Sequence, residues 1–407
     1  MPYIGRIEVR NHYKLRDFEI PFEAPGGSPF RHLILTGPNG SGKTTILAKL
    51  VHSITQDLNG NANHRHESLV AQLKAAESMR ARFPGNQVNP FESQVKISQQ
   101  LLNSFRVDEY WYPSQPGPGN PIGVYLSAHR PLQVDKARGV EKVDAGRVSP
   151  EQSLARNFLK HLVNLEVQSR LAKDEDPPAA AAITAWLSLL EQALAELFEI
   201  PGLRMEFVRK NYDIRFVEPT GAQYDFNQLA AGHASVLNIL AEILLRVPDG
   251  ALTTDNGAFA SPAGIVIIDE IETHLHPSLQ ERLLPFLVRA FPNMQFIVAT
   301  HSPAIICSID NALVWDLRSM QGVLSDELRG TPYGDLMKIQ FGIESDIDLE
   351  STKQLKRLKE LRDNGFRSDS EQAEFEHLAS KLRKTSQVLA LEVWAQLEQE
   401  RLADAGE

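Results

Sequence analysis

The stretch GPNGSGKT, residues 37–44, decides how this chain is interpreted. It fits the pattern G-x-x-x-x-G-K-[ST], in which glycines let the backbone wrap around phosphate oxygens and present N–H groups to them. The apolar run at residues 33–36 predicts a buried strand before it, and residues 44–58 predict a helix that begins at the phosphates. Strand, glycine-rich turn and helix together predict a phosphate loop for a nucleoside triphosphate.

Side chains of this loop have separate predicted roles. Lys43 is expected to reach the β- and γ-phosphates, and the hydroxyl of Thr44 is expected to hold Mg²⁺. The nucleotide-binding candidates in the loop are Gly37, Pro38, Asn39, Gly40, Ser41, Gly42, Lys43, Thr44 and Thr45.

Two further apolar strands end in residues that suit nucleotide chemistry. The run IVIIDE places Asp269 and Glu270 after a buried strand, at the sheet edge where ligands bind in open α/β folds. Asp269 is expected to hold Mg²⁺, and Glu270 to orient or deprotonate an attacking water. The run ATHSP puts His301 after the next such strand, within reach of a γ-phosphate. Taken alone, a histidine there is more commonly bonded within its own turn.

A fourth short motif begins an apolar helix. The run LAAGH, residues 229–233, heads a helix predicted over residues 229–246. A small, glycine-containing helix start can present backbone N–H groups to a phosphate, which makes Ala231 and Gly232 further nucleotide-binding candidates.

The bulk composition is that of an ordinary globular protein, with 42% hydrophobic and 23% charged residues. The formal net charge of −10 argues against a surface made for phosphates, although a local basic patch is compatible with it. Cys307 is the single cysteine, so no internal disulfide can form. No apolar run approaches the roughly 20 residues that cross a bilayer, and we expect no membrane partner and a cytoplasmic location.

Strands alternate with helices along most of the chain, which indicates an α/β core with a mostly parallel sheet. The pattern is poor over residues 59–119, where helices are plausible near residues 67–82 and 92–105. The other predicted segments are strands at 3–9, 17–22, 122–127, 204–209, 212–217, 265–268 and 295–300, helices at 150–173, 179–197 and 279–291, a breaker at 174–178, a polar loop at 248–264 and a helical tail over the last 57 residues.

The order phosphate loop, LAAGH, IVIIDE, ATHSP resembles the ATPase heads of the RecF, SMC and OLD group within the ABC superfamily, of the AAA_21-like kind. The run ETHLHP at residues 272–277 is a close match to their D-loop. The run TPYGDLMKIQFGIESDIDLEST at residues 331–352, followed by a short charged tail, resembles ATPases of bacterial antiphage systems such as Septu and retrons. The similarity extends over residues 3–384 and is weaker in the middle.

The resemblance implies an ABC-type ATPase head. Its parts would be an N-terminal antiparallel β-lobe, a mostly parallel P-loop core sheet, a helical lobe and a C-terminal helical tail. The expected boundaries are residues 1–335 for the ATPase domain, with helical insertions at about 59–120 and 145–200, and residues 336–407 for a helical subdomain.

The same resemblance implies the activity. ATP and Mg²⁺ would be the cofactors, and Glu270, His301 and Lys43 the catalytic residues. Two copies of the chain would sandwich two ATP molecules, so that Gly232 of one copy meets the γ-phosphate held by the other. Closure on ATP and opening after hydrolysis would regulate a partner effector, such as a nuclease encoded nearby, in antiphage defence.

Three positions depart from the family pattern or leave it open. Ala230 stands where LSGGQ-like motifs have serine, so one side-chain hydrogen bond to the γ-phosphate is missing. His276 stands where many transporters have aspartate. The Q-loop is not evident: Gln133 is the candidate for nucleotide contact, with His129 and Arg130 as alternatives.

Other functions are compatible with parts of the sequence. They are a DNA repair or chromosome-maintenance ATPase, the nucleotide-binding subunit of a transporter, and a scaffold that binds ATP without hydrolysis.

His274 and His276 lack a third nearby ligand, which disfavours zinc. A basic run in the tail reads as a solvated helix face or as a contact for DNA or RNA phosphates: Lys353, Lys356, Arg357, Lys359, Arg362 and Arg367.

Overall fold

A computed structural model describes residues 2–10, 15–22, 30–58, 105–111, 122–143, 149–247, 254–255, 258–259, 263–341, 348–363, 367–385, 390–391 and 393. Contacts divide the chain into two compact units, Met1–Thr331 and Pro332–Glu407.

The described strands are β1 (Pro2–Val9), β2 (Phe18–Pro21), β3 (His32–Thr36), β4 (Phe105–Trp111), β5 (Ile122–Leu126), β6 (Arg204–Val208), β7 (Asp213–Val217), β8 (Gln223–Tyr224), β9 (Thr254–Asp255), β10 (Ala258–Phe259), β11 (Gly264–Ile268), β12 (Met294–Ala299), β13 (Ala312–Asp316) and β14 (Gln321–Leu324). The described α-helices are α1 (Lys43–Leu58), α2 (Phe158–Glu175), α3 (Pro177–Leu197), α4 (Ala231–Leu244), α5 (Pro277–Ala290), α6 (Pro303–Ile306), α7 (Tyr333–Phe341), α8 (Leu349–Asp363) and α9 (Asp369–Thr385).

A six-stranded sheet forms the core of the first unit, in the order β14-β13-β3-β12-β11-β5. The strands from β13 to β5 are parallel to their neighbours, and β14 pairs antiparallel with β13 at one edge. Strands β3, β11, β12 and β13 are buried along their whole length, as expected for strands covered on both faces. The predicted α/β class with a mostly parallel sheet is confirmed.

The strand order positions the candidate site. Strand β12 lies between β3, which leads into the phosphate loop, and β11, which leads into Asp269 and Glu270. Because the three strands are parallel, their carboxyl ends meet at one edge of the sheet. His301 follows β12 at that edge, so the three motifs become neighbours although they are far apart in sequence.

A second sheet, order β2-β1-β4, matches the predicted N-terminal antiparallel lobe. Gln295 joins it to the core sheet, because its side chain accepts from Ile4 N at 2.8 Å and donates to Ile4 O at 2.7 Å. Strand β4 was not predicted. The helix expected at residues 92–105 lies outside the described residues except for Phe105, which begins β4. Strand β4 forms because it pairs with β1, which lies almost a hundred residues earlier in the sequence.

The helical lobe contains α2 and α3, close to two predicted helices. The first predicted helix was wrong at its start, because residues 150–157 are non-helical apart from one 3-10 turn and α2 begins at Phe158. The predicted breaker at residues 174–178 contains the cap of α3: the Asp176 side chain accepts from Ala179 N at 3.1 Å, and Pro177 fills the first turn.

Other short strands were missed. The pair β9–β10 lies inside the predicted polar loop, and β13 and β14 were not predicted. The predicted pair at residues 204–209 and 212–217 is confirmed as β6 and β7, with β8 added. None of the described helices is long and apolar enough to span a bilayer.

The second unit contains α7 and a helical hairpin of α8 and α9 around a small apolar cluster that includes Leu358 and Leu382. Two arginines of the predicted basic run make contacts within this hairpin. Arg357 forms a bidentate pair with Glu374 at 2.9–3.0 Å, and Arg367 lies over the Phe375 ring and donates to the carbonyl of Leu361. This use of its arginines favours a structural role over a surface for nucleic acid.

We predict that His32 makes the free energy of unfolding decrease at acidic pH. Its buried ring accepts a hydrogen bond at Nδ1 from Phe296 N at 3.0 Å, and burial lowers its pKa from 6.5 to about 4. The unfolded chain therefore binds more protons between these pH values, and stability falls as pH drops from 6.5 to 4. The loss from this residue should reach about 3 kcal/mol.

Urea unfolding of wild type and His32→Asn across pH 4–7 measures this contribution. Asparagine can keep an acceptor near Nδ1 without titrating, so the variant should be less stable at pH 7 and should approach wild type at pH 4. A stability difference that does not change with pH would contradict the assignment.

Candidate functional site

The phosphate loop is folded around the ammonium group of Lys43. Lys43 Nζ donates to the carbonyl oxygens of Gly37 at 2.8 Å and Pro38 at 3.2 Å, and the side chain is buried. Burial lowers the pKa of Lys43, and nearby carboxylates, led by Asp269, oppose that effect. Gly42 has φ +103°, and a Cβ there would collide with Leu15, so this turn requires glycine.

Asp269 connects the end of β11 to the loop. Its Oδ2 accepts from Thr44 Oγ1 at 2.8 Å, while Oδ1 is buried and has no hydrogen-bond partner within the described part of the chain. Burial raises the pKa of Asp269, and the hydrogen bond from Thr44 opposes this. A carboxylate with one open oxygen beside a hydroxyl is a set of oxygen ligands that fits Mg²⁺.

Glu270 follows Asp269 in a strained backbone conformation. Its φ is +45°, in the left-handed region that non-glycine residues enter rarely. Its carboxylate is partly exposed and accepts a long hydrogen bond of 3.4 Å from Thr273 Oγ1. Strain of this kind persists where surrounding contacts hold the turn, and such turns cluster at functional sites.

Glu272 joins the D-loop, residues 272–277, to the loop that carries His301. Its two carboxylate oxygens accept from His301 N at 2.6 Å and Thr300 Oγ1 at 2.8 Å. Sequence reasoning quoted the D-loop motif but did not single out this acid. Burial lowers the pKa of the His301 imidazole, with Lys43 adding to the effect and Glu272 opposing it, which favours a neutral ring near pH 7.

The motif LAAGH lies at the start of α4. Ala230 is the N-cap residue and makes no side-chain capping bond, and Ala231 is exposed. Gly232 packs closely on the D-loop, because a Cβ at this position would lie 3.0 Å from the carbonyl oxygen of His274. The glycine therefore lets the helix start touch the D-loop of the same subunit.

The D-loop ends in a helix cap. His276 Nδ1 lies 3.1 Å from Ser278 Oγ and accepts from Ser278 N at 3.4 Å, which makes His276 the N-cap residue of α5. An aspartate would serve the same purpose, so the departure at this position is accounted for by the cap.

The segment after β5 reaches the site through a residue that the sequence offered only as an alternative. Gln133 is exposed, and its role in nucleotide contact stays a prediction. Arg130 is buried and donates to the carbonyl oxygens of Asp269 at 2.9 Å and Glu270 at 2.9 Å. Its sequence signal was weak, since a loop arginine is usually solvated.

Comparison with known families settles the chain's relationship. The profile of AAA_21, described as "AAA domain, putative AbiEii toxin, Type IV TA system", matches residues 98–307, about half of the 407 residues. The chain belongs to the AAA_21 family. The matched region contains Asp269, Glu270 and His301 and begins after the phosphate loop, which lies outside the match.

Several curated relatives of this AAA_21 chain carry names from antiphage systems. The "Retron Ec83 probable ATPase" of Escherichia coli is 36% identical over 126 residues, which are 30% of this chain and 22% of the relative. Two "Septu protein PtuA" sequences align with 74% of this chain: that of Bacillus mycoides at 26% identity over 38% of its length, and that of Bacillus thuringiensis at 21% over 74%. The "Retron Vc95 probable ATPase" of Vibrio cholerae is 34% identical over 92 residues, which are 22% of this chain and 17% of the relative. The chain therefore spans well under half the length of both retron ATPases and of the Bacillus mycoides protein.

Solved structures with partial likeness include SMC heads. An SMC head bound to the C-winged helix domain of ScpA gives a TM-score of 0.36 at 15% identity, covering 77% of this chain and 93% of that one. The SMC head domain of Thermotoga maritima gives 0.33 at 13%, covering 77% and 94%. At these scores, the fold of the AAA_21 chain is assigned from its own strand order.

We predict that Glu272→Gln loosens the loop that carries His301. Glutamine has one acceptor oxygen, so the bonds from His301 N and Thr300 Oγ1 cannot both be kept. Losing one bond to a charged acceptor should speed amide exchange at residues 299–302 by about tenfold or more. Hydrogen exchange read by mass spectrometry measures this, with the exposed Glu281→Gln as charge-matched control. Equal uptake in the two variants would refute the link.

Proposed function

We propose that this chain binds ATP with Mg²⁺ and hydrolyses it, in order to switch a partner protein. The observation that carries the proposal is the hydrogen bond of 2.8 Å between Thr44 and Asp269, next to the buried Oδ1 of Asp269, which has no partner among the described residues. Two oxygen ligands are thereby held together beside a lysine whose ammonium group already contacts carbonyl oxygens of the phosphate loop.

Each residue at this edge has a role that its position supports. Thr44 and Asp269 would hold Mg²⁺, which neutralises charge on the phosphates, and Lys43 would leave the carbonyls of its loop to bind them. Glu270 would accept a proton from the attacking water. A neutral His301 would donate a hydrogen bond from its protonated ring nitrogen to the γ-phosphate.

The second half of the site would come from another copy of the chain. Ala231 and Gly232 start α4 at the surface, where the first N–H groups of a helix lack intrahelical partners and favour an anion. A head-to-head dimer would therefore place Gly232 against the γ-phosphate of its partner. Because Ala230 supplies no hydroxyl, this contact would rest on backbone donors.

The partner is proposed from the relatives. Retron and Septu proteins, named as such, cover parts of this chain, and the chain belongs to a family described by AAA and toxin–antitoxin terms. An ATP-dependent dimer that restrains or releases a toxic effector fits that setting. The effector would be a separate protein, encoded nearby, that recognises one nucleotide state of the dimer.

We predict that Glu270→Gln abolishes turnover while ATP binding is kept. Removing the general base should lower the hydrolysis rate at least about a hundredfold, and ATP should accumulate in a stable dimer. Phosphate release and light scattering with ATP and Mg²⁺ measure the two effects. Unchanged turnover would show that Glu270 does not activate the water.

Lys43→Ala is predicted to weaken ATP binding, because the phosphates lose their main cationic partner. Calorimetry with ATP should show a loss of affinity of about tenfold or more, and the variant should stay monomeric when ATP is added. If affinity and dimerisation match wild type, the phosphate-loop assignment is wrong.

A further inference from the structure

Arg130, in the segment after β5, is 8% exposed and uses all three guanidinium nitrogens in hydrogen bonds. Nη1 and Nη2 each reach two backbone carbonyls, and Nε reaches a hydroxyl. The partners are Ser127 O at 3.1 Å, Asp269 O at 2.9 Å, Glu270 O at 2.9 Å, Ile271 O at 3.0 Å and Ser235 Oγ at 3.2 Å.

Three of these partners are consecutive carbonyls of the acidic turn, residues 269–271. Their convergence on one cation coincides with the left-handed φ of +45° at Glu270. The Glu270 carbonyl also accepts from Thr273 N at 2.9 Å, so removing the guanidinium would take a donor chiefly from the carbonyls of Asp269 and Ile271. A buried carbonyl without a donor costs about 1–3 kcal/mol, so the turn could then relax from its strained conformation. Arg130 therefore holds the backbone from which the Glu270 carboxylate projects.

The hydrogen bond from Nε leads to a different element. Ser235 lies one turn into α4, the helix that begins with Ala231 and Gly232, and it accepts from Arg130 Nε. A displacement of α4 would be felt at the acidic turn, because a planar guanidinium cannot move one of its bonds without moving the others. The helix start expected to meet the partner's ATP is thus linked to Glu270 of its own subunit.

We infer that Arg130 is a positioning residue that sets the Glu270 carboxylate for hydrolysis and couples it to the position of α4. This rests on the proposed ATPase function. Burial lowers the pKa of Arg130 to about 10, while the nearby carboxylates of Glu272, Asp269 and Glu270 favour the protonated guanidinium. The guanidinium therefore keeps its positive charge at this position.

Arg130→Lys is the decisive change, because it keeps the positive charge but cannot hold the acidic turn and Ser235 at once. We expect kcat for ATP to fall about tenfold or more, while the KM for ATP and its calorimetric affinity stay within about twofold of wild type. Hydrogen exchange of residues 269–272 should become faster.

Arg246→Lys is the matched control. Arg246 is also 8% exposed and lies just after α4. Its Nη1 donates to Glu242 O at 2.7 Å and its Nη2 to Gln152 O at 2.6 Å, while Nε has no hydrogen-bond partner among the described residues. Within the described part of the chain its hydrogen bonds do not reach residues 269–271, so a comparable loss of thermal stability is expected without the fall in kcat. Equal losses of kcat in both variants would reduce Arg130 to a structural role and overturn the inference.

Ser235→Ala tests the coupling separately and covers the case in which Arg130→Lys does not fold. It keeps Arg130 and removes the hydroxyl acceptor, so kcat should fall a few-fold at unchanged KM; an unchanged kcat would overturn the link to α4.

If wild type hydrolyses ATP normally and both kcat predictions fail, the inference is wrong and the proposed function stands. If wild type binds ATP without hydrolysing it, the hydrolysis part of the proposed function and the role of Arg130 in it fail together.

Discussion

The hydrogen bond between Thr44 Oγ1 and Asp269 Oδ2 closes the candidate site across 225 residues of sequence. It forms because β3 and β11 are parallel strands of one sheet, separated by β12, so that their carboxyl ends face the same edge. Everything else at that edge is arranged around this pair: the lysine ammonium on one side, His301 at the end of the intervening strand, and Glu270 in the turn that follows.

Two groups, the half-buried Glu272 and the buried Arg130, hold the loops that the sheet alone leaves free. Glu272 accepts from the backbone and side chain of residues 300–301, and Arg130 donates to three carbonyls of the acidic turn. Arg130 acts mainly on backbone carbonyls, whereas Glu272 holds one backbone N–H and one hydroxyl. A network of this kind has few adjustable parts, so a shift in one loop changes the position of Glu270 or His301 instead of being absorbed locally.

The elements best predicted from sequence were those with strong local signals. The strand at residues 33–36, the phosphate loop and the helix after it follow from glycine positions and apolar runs, and the structure has β3 and α1 there. Strand β4 was missed because its pairing partner is β1, which no local pattern announces. The start of α2 was misplaced because residues 149–155 are bound by Glu242, near the end of α4, and by Arg246, just after it, instead of forming helix.

The sequence by itself determined which residue types are available for nucleotide chemistry and in which order, because glycine torsions, strand periodicity and motif spacing are local properties. It also determined the α/β class, since alternating strands and helices leave few ways to bury both faces of a sheet. Only the tertiary structure decided that Arg130, and not Gln133, reaches the acidic turn, and that Glu272 ties the D-loop to His301. The contact of Arg130 depends on the distance between segments that are more than a hundred residues apart in sequence. The contact of Glu272 depends on how the ends of neighbouring strands pack.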